Sequence, residues 1–498
     1  MLRPGKNARR RKLAFKDLRE YISELEQEGE LLRIKEEVDW NLEVSAIIRR
    51  SYDLQAPAPL FENIKGYPKG FKILGAPVSS SASKGRFYAR LAISLGLPPD
   101  TDVATIIEEL AKAKHVKPSK PKLVKTGPCK ENIQIGREVN LFKLPVPYIH
   151  PGDGGRYIGT WHTVVTRDPD TGWTNWGMYR LMVHDETSMG GPIALSQHIG
   201  MHYYEKYEAR NQPMPFAVVT GTEPLIPLVS CFAVPPGTDE ADIVGAMRGE
   251  PVEVVKCETV DLEVPVTSEI VIEGMVLPHQ RKEEGPFGEY TGYITSARKQ
   301  TPIFNVTAIT HRNDPILPVI CTGAPVEDHL VWSIALAADI LNNLRSHGLP
   351  VKKVFIPPHS ALHIVVISTE ISSPNIAQLI ADVVWANKSG ACIPKVIVIE
   401  DDIDATNMDE VLWVFCTRNH PDRGIHKIPN PSAFHHWTFL SPKEKKSLTT
   451  TNVLFDCTWP KDWPKEFVPR KATLASLWPE DIQEKVLARW ESYGYSLK

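Results

Sequence analysis

Glu283-Glu284-Gly285-Pro286-Phe287-Gly288-Glu289-Tyr290-Thr291-Gly292-Tyr293 sets two carboxylates, Glu284 and Glu289, on either side of a run of turn formers. Their odd spacing puts them on opposite faces of a strand and well around a helix from one another, so only a turn aims both at one point. Gly285, Pro286 and Gly288 supply that turn, because glycine accepts unusual dihedrals while proline fixes one and removes a donor. Paired carboxylates on a rigid turn suit acid–base chemistry. Read alone, the stretch also fits a solvated loop carrying surface acids.

The turn lies in a region, 127–318, made of short runs rich in Val, Ile, Thr and Trp and punctuated by Gly and Pro: 161–166, 173–183, 216–220, 252–257, 269–274 and 303–311. This texture predicts a β-rich domain, a barrel. Gly152-Asp153-Gly154-Gly155 within it reads as a hairpin turn, with a phosphate cradle as the alternative. No GxGxxG or GxxxxGK[ST] motif occurs, so Rossmann and P-loop readings have no support.

Upstream, Leu18, Tyr21, Ile22 and Leu25 recur at helical spacing up to Gly29, followed by a strand at 31–34, a helix at 42–50, a strand at 71–74 and a helix at 103–114. This is an α/β N-terminal domain, 14–126. Its end, 116–126, carries Lys117, Lys120, Lys122 and Lys125 with Pro118 and Pro121 and reads as a linker. The first residues hold Arg3, Lys6, Arg9, Arg10, Arg11 and Lys12 without an acid, and 1–13 is expected to be a disordered basic tail. Downstream, helical spacing at 330–344 and 376–386 alternates with strands at 354–356, 364–367 and 395–399, which predicts a second α/β domain, 319–475, with a mostly parallel sheet. A last helix at 479–492, in a terminal segment 476–498, has Leu487 and Trp490 on one side and is a candidate for docking on another subunit or domain.

Composition narrows the function. The chain has 498 residues, 42% hydrophobic and 23% charged, with a net charge of -3, which lacks the basic excess of a nucleic-acid binder. No apolar run approaches the roughly 18 residues of a membrane span, and the start lacks the apolar core of a secretory signal. A cytoplasmic protein is expected. The seven cysteines, at 129, 231, 257, 321, 392, 416 and 457, include no CxxC pair, so neither a disulfide framework nor a zinc knuckle is indicated.

Three groups in the β-rich region bear on chemistry: Trp173 to Arg180, Gln197-His198 and Asp239-Glu240. An amide oxygen, an imidazole nitrogen and a carboxylate would form a mixed N/O set suited to manganese or magnesium with open positions for phosphate oxygens. By spacing alone, an ordinary core or surface histidine is the more frequent case.

Gly127-Pro128-Cys129-Lys130-Glu131-Asn132, Leu144-Pro145-Val146-Pro147, Thr174 to Arg180, Gln197-His198, Val244-Gly245-Ala246-Met247, Glu284 to Glu289 and Asp401-Asp402-Ile403-Asp404 stand in the order in which they stand in one family. From about residue 14 onward the chain resembles the UbiD family of decarboxylases, in its ferulic acid and aryl or heteroaryl acid decarboxylase branch. The resemblance implies an N-terminal α/β domain, a central split β-barrel that binds flavin, and a C-terminal α/β domain with a terminal helix. It implies prenylated flavin mononucleotide (prFMN), held through its phosphate by Mn2+ and K+, and made by a separate flavin prenyltransferase. The metal ligands fall on Asn175, His198 and Glu240. The potassium site falls on the Trp176 carbonyl with Glu240, Arg418 and Asp456, although the family's acid after Arg418 is replaced by Gly424, with Asp422 nearby. Cofactor contacts fall on Asn175, Met178, Tyr179, Arg180, Gln197, His198, Glu240 and Lys388.

The same register gives Arg180, Glu284 and Glu289 the catalytic roles. Arg180 offers a planar fork to a substrate carboxylate, Glu284 holds the fork, and Glu289 delivers a proton, which requires a partly desolvated pocket. The flavin serves as the electron sink. Tyr290, Asp328, Trp332, Phe434 and His436 fall on the substrate pocket, and Asp328 and His436 are expected to bond ring hydroxyls or a ring N–H. The expected activity is reversible, non-oxidative decarboxylation of a hydroxybenzoate, catechol, pyrrole or indole acid by a homodimer or higher homo-oligomer. The alternatives are a decarboxylase of cinnamic-type α,β-unsaturated acids acting through cycloaddition to prFMN, a non-catalytic subunit of a multi-protein carboxylase, and a metal-only decarboxylase. The last would want a tighter His/Asp cluster.

Overall fold

Leu18, Tyr21, Ile22 and Leu25 are buried along one face of the helix Leu18–Gln27, which opens with the Asp17 carboxylate accepting from the Glu20 amide at 2.9 Å. The structure, a computed structural model, describes residues 15–113, 115–294, 297–434 and 436–496. The basic tail expected at 1–13 lies outside them. The helices expected at 42–50 and 103–114 are Glu43–Asp53 and Val103–Ala113.

The N-terminal sheet runs Leu31–Ile34, Ala58–Phe61, Lys72–Gly75, Ile316–Val319. Its fourth strand returns from beyond the turn region and pairs in parallel with Lys72–Gly75, so chain that composition groups with the β-rich region completes the N-terminal sheet. The segment 116–126, read as a linker, is tied down: Lys122–Leu123 is a short strand parallel to Glu253–Lys256.

The central sheet follows the path Tyr157–Gly159, Leu181–Asp185, Ser188–Gly190, Lys299–His311, Ile270–Glu284, Met214–Thr220, His162–Arg167, Thr174–Gly177, with Asn132–Ile135 added on Lys299–His311. Its pairings are antiparallel. The path does not close, which makes a split barrel. The run 173–183 of β-rich texture divides into Thr174–Gly177 and Leu181–Asp185, which lie near opposite ends of the path. Met178, Tyr179 and Arg180 therefore carry the chain across the split.

Beyond the helix Leu330–Ser346, a five-stranded sheet has the order Val351–Phe355, Ile364–Thr369, Lys395–Glu400, Thr450–Cys457, Ile425–Asn430. The two inner pairings are parallel and the two outer ones antiparallel, a more mixed sheet than expected. The helix Ile376–Ala386 has its expected bounds. The last helix, Glu480–Ala488, is shorter than expected and buries none of its residues. Apolar packing runs across the units: Ile334, Val366 and Ile397 share a core cluster with Val165 and Ala217, and Val44 and Phe61 share another with Phe216 and Ile272. All seven cysteines are free. No helix among the described residues is long and apolar enough to cross a membrane.

Candidate active site

The strand Ile270–Glu284 ends on Glu284, and the chain turns at once through Gly285, whose φ of 86° belongs to the left-handed region. The turn is clamped from outside. Gly154 N–H donates to the Pro286 carbonyl at 2.8 Å, and Gly288 N–H donates to Asp153 at 3.1 Å. The chain turns between His150 and Asp153, but the strand that follows, Tyr157–Gly159, pairs with Leu181–Asp185, so the hairpin expected at 152–155 is not formed; a Cβ on Gly154 would meet the Gly285 carbonyl oxygen, and the glycine permits this close approach. The far limb is closed by Glu289 N–H donating to the Tyr293 carbonyl at 3.1 Å.

The turn brings both carboxylates to Arg180. Arg180 Nε and Nη2 donate to the two oxygens of Glu284 at 3.0 Å each, while Nη1 donates to Glu289 Oε1. Tyr157 adds a hydroxyl to Glu284 Oε1 at 2.8 Å. Glu284 and Glu289 are both buried. Burial raises Glu289 above the usual carboxylate range, and Arg180 works against that rise. Burial opposes the Arg180 cation, but Glu289 and Glu284 more than offset it and hold the guanidinium charged. The segment across the barrel split is set by His162, whose Nε2 donates to the Tyr179 carbonyl at 2.7 Å, the tautomer that bond requires.

Asn175, His198 and Glu240 converge on the other side of this segment, all buried. Glu240 Oε2 accepts from the Trp176 amide at 2.8 Å, its Oε1 lies 3.6 Å from His198 Nδ1, and Asn175 Oδ1 accepts from the Tyr179 hydroxyl at 3.3 Å. Lys388 Nζ stands 3.5 Å from His198 Nε2, and burial lowers its pKa. Among the described residues no group of three His, Cys, Asp or Glu could hold a metal; here the third donor is the Asn175 amide. A buried oxygen, nitrogen and carboxylate beside a lysine fit a hard divalent cation carrying a phosphate.

Around this set lie residues that spacing did not single out. Thr166 Oγ1 accepts from Asn175 Nδ2 at 3.3 Å and meets His202 Nδ1 at 2.9 Å. Trp173 stands edge-on to both His198, at 4.8 Å, and His202, at 4.7 Å. Thr166 precedes the family-like motif on a neighbouring strand, and His202 follows His198 by one helical turn. That turn spacing was the available signal.

The other assigned residues divide. Met178 Sδ lies 4.0 Å from Cys231 Sγ, and Gln197 Oε1 caps the Ala194 amide at 2.9 Å. Arg418 and Asp456 are engaged elsewhere: Arg418 forms a two-pronged pair with Asp402 at 3.0 and 2.8 Å, and Asp456 Oδ1 accepts from the Thr458 amide at 3.0 Å and hydroxyl at 2.7 Å. Asp422 is exposed. Tyr290, Trp332, Phe434 and His436 do gather. Tyr290 meets Trp332 edge-on at 5.5 Å, Phe434 lies 5.2 Å from His436, and His436 Nδ1 is 3.6 Å from Glu289 Oε1.

Asp328 corrects the sequence reading. It faces away from this group, with Oδ2 accepting from the Tyr52 hydroxyl at 2.5 Å and Oδ1 from the Val78 amide at 2.7 Å. Both oxygens are committed to the N-terminal domain, so it offers nothing to a ring hydroxyl. Its neighbour His329 holds the place beside Tyr290 instead, stacked on it at 5.4 Å, with Nδ1 2.9 Å from Glu327.

Comparisons with known proteins agree with this architecture. Residues 22–110, 122–325 and 329–457 match the N-terminal, Rift-related and C-terminal domains of 3-octaprenyl-4-hydroxybenzoate carboxy-lyase, UbiD. The pyrrole-2-carboxylic acid decarboxylase of Pseudomonas aeruginosa is 34% identical over 488 residues, covering 96% of this chain and 98% of that protein. Ferulic acid decarboxylase 1 of Saccharomyces cerevisiae is 33% identical over 498 residues, covering 96% and 98%. An evolved dimeric form of the UbiD-class enzyme HmfF from Pelotomaculum thermopropionicum, solved with prFMN, superposes with a TM-score of 0.77 at 31% identity, covering 91% of this chain and 97% of that one. Matched in all three domains and along nearly its whole length, the chain belongs to the UbiD family of carboxy-lyases.

Proposed function

We propose that this protein reversibly and non-oxidatively decarboxylates an aromatic or heteroaromatic acid with prenylated FMN. The observation that carries the reading is the sharing of the Arg180 fork between two buried carboxylates of unlike role. Glu284 grips Nε and Nη2 and fixes the plane of the guanidinium. The remaining edge, held by Glu289 here, is the edge a substrate carboxylate would take. When the substrate takes it, Glu289 loses its cation and gains a like charge nearby, and both changes favour the protonated acid that burial already favours. Glu289 then places its proton on the carbon that has lost carbon dioxide.

Asn175, His198 and Glu240 would hold Mn2+ against the flavin phosphate, and Lys388 would face the same group. K+ would sit beside the Trp176 carbonyl and Glu240. Once bound, the flavin supplies the electron sink that loss of carbon dioxide requires. Tyr290, Trp332 and Phe434 form an aromatic wall, and His436 is the polar group on it, which favours a ring bearing a hydroxyl or N–H over an unsubstituted one. The working unit is a homo-oligomer that receives its cofactor from a flavin prenyltransferase and acts in the cytoplasm.

The test is mass spectrometry of the cofactor from protein co-expressed with a flavin prenyltransferase and supplied with manganese, against protein made without the transferase. The prenylated mass in the first sample alone, with turnover of pyrrole-2-carboxylate or 3,4-dihydroxybenzoate, is the expected result. Well-folded protein with no flavin in either sample would overturn the reading and favour a non-catalytic subunit.

A further inference from the structure

The two carboxylates of the turn are held by different means. Glu284 is the last residue of its strand and pairs there with Lys299. Glu289 lies past the strand, so the ladder does not fix it. Its backbone is held from outside instead. Gly288 N–H donates to Asp153 Oδ1 at 3.1 Å, the Gly288 carbonyl accepts from the Thr322 hydroxyl, and Glu289 N–H donates to the Tyr293 carbonyl at 3.1 Å. Each polar backbone atom from Gly288 N to Glu289 N thus has a partner.

His150 joins the two side chains of this clamp. Its Nδ1 lies 3.0 Å from Asp153 Oδ2 and its Nε2 lies 2.7 Å from the Thr322 carbonyl oxygen. Both neighbours are acceptors, so both ring nitrogens carry hydrogen and the ring is an imidazolium. The Asp153 carboxylate answers that charge, and it accepts from the His150 amide at 2.9 Å as well as from the ring and from Gly288. Cys321 also faces the ring, with Sγ 3.7 Å from Nε2, and Phe287 meets it edge-on at 5.7 Å. Burial opposes the charged ring, but Asp153 and Cys321 more than offset it and raise its pKa to about 10. The ring lies directly on the turn, since a Cβ on Gly288 would stand 2.5 Å from His150 Cε1. The bonds close on themselves, from Asp153 to Gly288, Thr322, His150 and back to Asp153.

We propose that His150 is a positioning residue for the proton donor: held as an imidazolium between Asp153 and Thr322, it closes a ring of hydrogen bonds that fixes the peptide from which the Glu289 side chain hangs. Substrate arrival takes Glu289 off Arg180, and only its side chain has to turn, because the backbone stays where the ring holds it. Arg180 and Glu284, which take the substrate carboxylate, are held by the strand and by each other. Loosening the ring therefore spoils proton delivery and spares binding. The inference rests on the reading of Glu289 as the proton donor.

The test uses flavin-loaded enzyme with pyrrole-2-carboxylate and 3,4-dihydroxybenzoate as probes. Thr322→Val keeps the shape of the side chain and removes the hydroxyl that holds Gly288, Thr322→Ser keeps the hydroxyl, and His150→Gln can donate toward Asp153 or toward Thr322 but not both. Thr322→Val and His150→Gln should keep their flavin and lose roughly 10- to 100-fold in kcat with KM moving less than about threefold, and the solvent deuterium isotope effect on kcat should rise as proton delivery becomes the slow step. Thr322→Ser should recover most of that loss, to within about threefold of wild type. A kcat within about twofold of wild type in both Thr322→Val and His150→Gln, a loss that Thr322→Ser shares in full, or a loss that falls on KM or flavin content with the isotope effect unchanged would overturn the positioning role. The wild type gives a reading that needs no variant: by NMR of isotope-labelled histidine, a ring protonated at both nitrogens should persist to about pH 9, and its absence would overturn the proposal. Failure of the reading beneath it looks different: loaded wild-type enzyme would turn over neither acid while that ring signal is present, or Glu289→Gln would remain active, and the positioning role would fall with it.

Discussion

Arg180→Lys keeps a positive charge at the centre of the site and removes its shape. In the wild type, Nε and Nη2 reach both oxygens of Glu284 at 3.0 Å while Nη1 reaches Glu289. A lysine ammonium is a point charge on a flexible stem and cannot span two oxygens of one carboxylate while presenting a planar edge to another. The variant therefore loses one charge-assisted bond to Glu284 and one to the substrate carboxylate. At about 1.5–3 kcal/mol each, the two amount to roughly 3–6 kcal/mol. Entered as lost transition-state stabilisation, that is about 10²- to 10⁴-fold in kcat/KM at 1.36 kcal/mol per decade. The assay is carbon dioxide release from enzyme preparations matched for flavin content, with Arg180→Ala alongside. A lysine variant within about fivefold of wild type would show that charge alone suffices and would refute the argument from the fork.

Three further outcomes follow from the geometry. Burial raises Glu289, so the acid form persists to higher pH than in an ordinary carboxylate and kcat/KM should fall as pH rises through that raised value; Glu289→Gln should lose about 100-fold or more in kcat and keep its flavin, and an active variant would remove Glu289 from the donor role. Thr166→Val frees the Asn175 amide and the His202 ring, so Mn2+ titration should show roughly 10- to 100-fold weaker binding, and unchanged affinity would refute a positioning role. Burial raises Asp328 from 3.8 to about 6; the folded state binds that proton more tightly than the unfolded one, so the contribution of Asp328 to stability should drop by about 3 kcal/mol as pH rises from about 4 to 6. Asp328→Asn should gain on wild type over that window in melting midpoint, and Asp328→Ala should lose roughly 1–3 kcal/mol for each of the two donors it strands; a difference between Asn variant and wild type that is flat with pH would refute the assignment.

Local rules made much of the molecule legible. Apolar spacing located the helix Ile376–Ala386 to the residue, and turn chemistry identified the bend at Gly285 that joins Glu284 to Glu289. Misreadings occurred where the deciding partner lies far along the chain. The segment 116–126 looks like a linker because its strand partner is Glu253–Lys256, and Ile316–Val319 looks like part of the central region because its partner is Lys72–Gly75. The break at Met178–Arg180 is invisible in a run of strand formers, since it exists only to cross a gap that appears when the sheet curls. Register with the family puts Asp328 on the pocket, but the Tyr52 hydroxyl that claims it is 276 residues away. Motif order indicated the family and the Arg180, Glu284 and Glu289 set. Thr166, His202 and His329, which lie beside those motifs, became visible only when side chains met.

The bond between Tyr52 and Asp328 ties the N-terminal domain to the start of the helix that carries one wall of the proposed pocket. It anchors the residue just ahead of the helix Leu330–Ser346, which bears Trp332. Recombining domains among relatives would therefore not be modular at this seam. A hybrid that takes residues 15–113 from a parent without the phenol at position 52 leaves the acid at 328 short of a donor and frees the start of that helix. Such hybrids should drift in substrate preference without a change to any pocket side chain, and restoring the one tyrosine should bring the preference back.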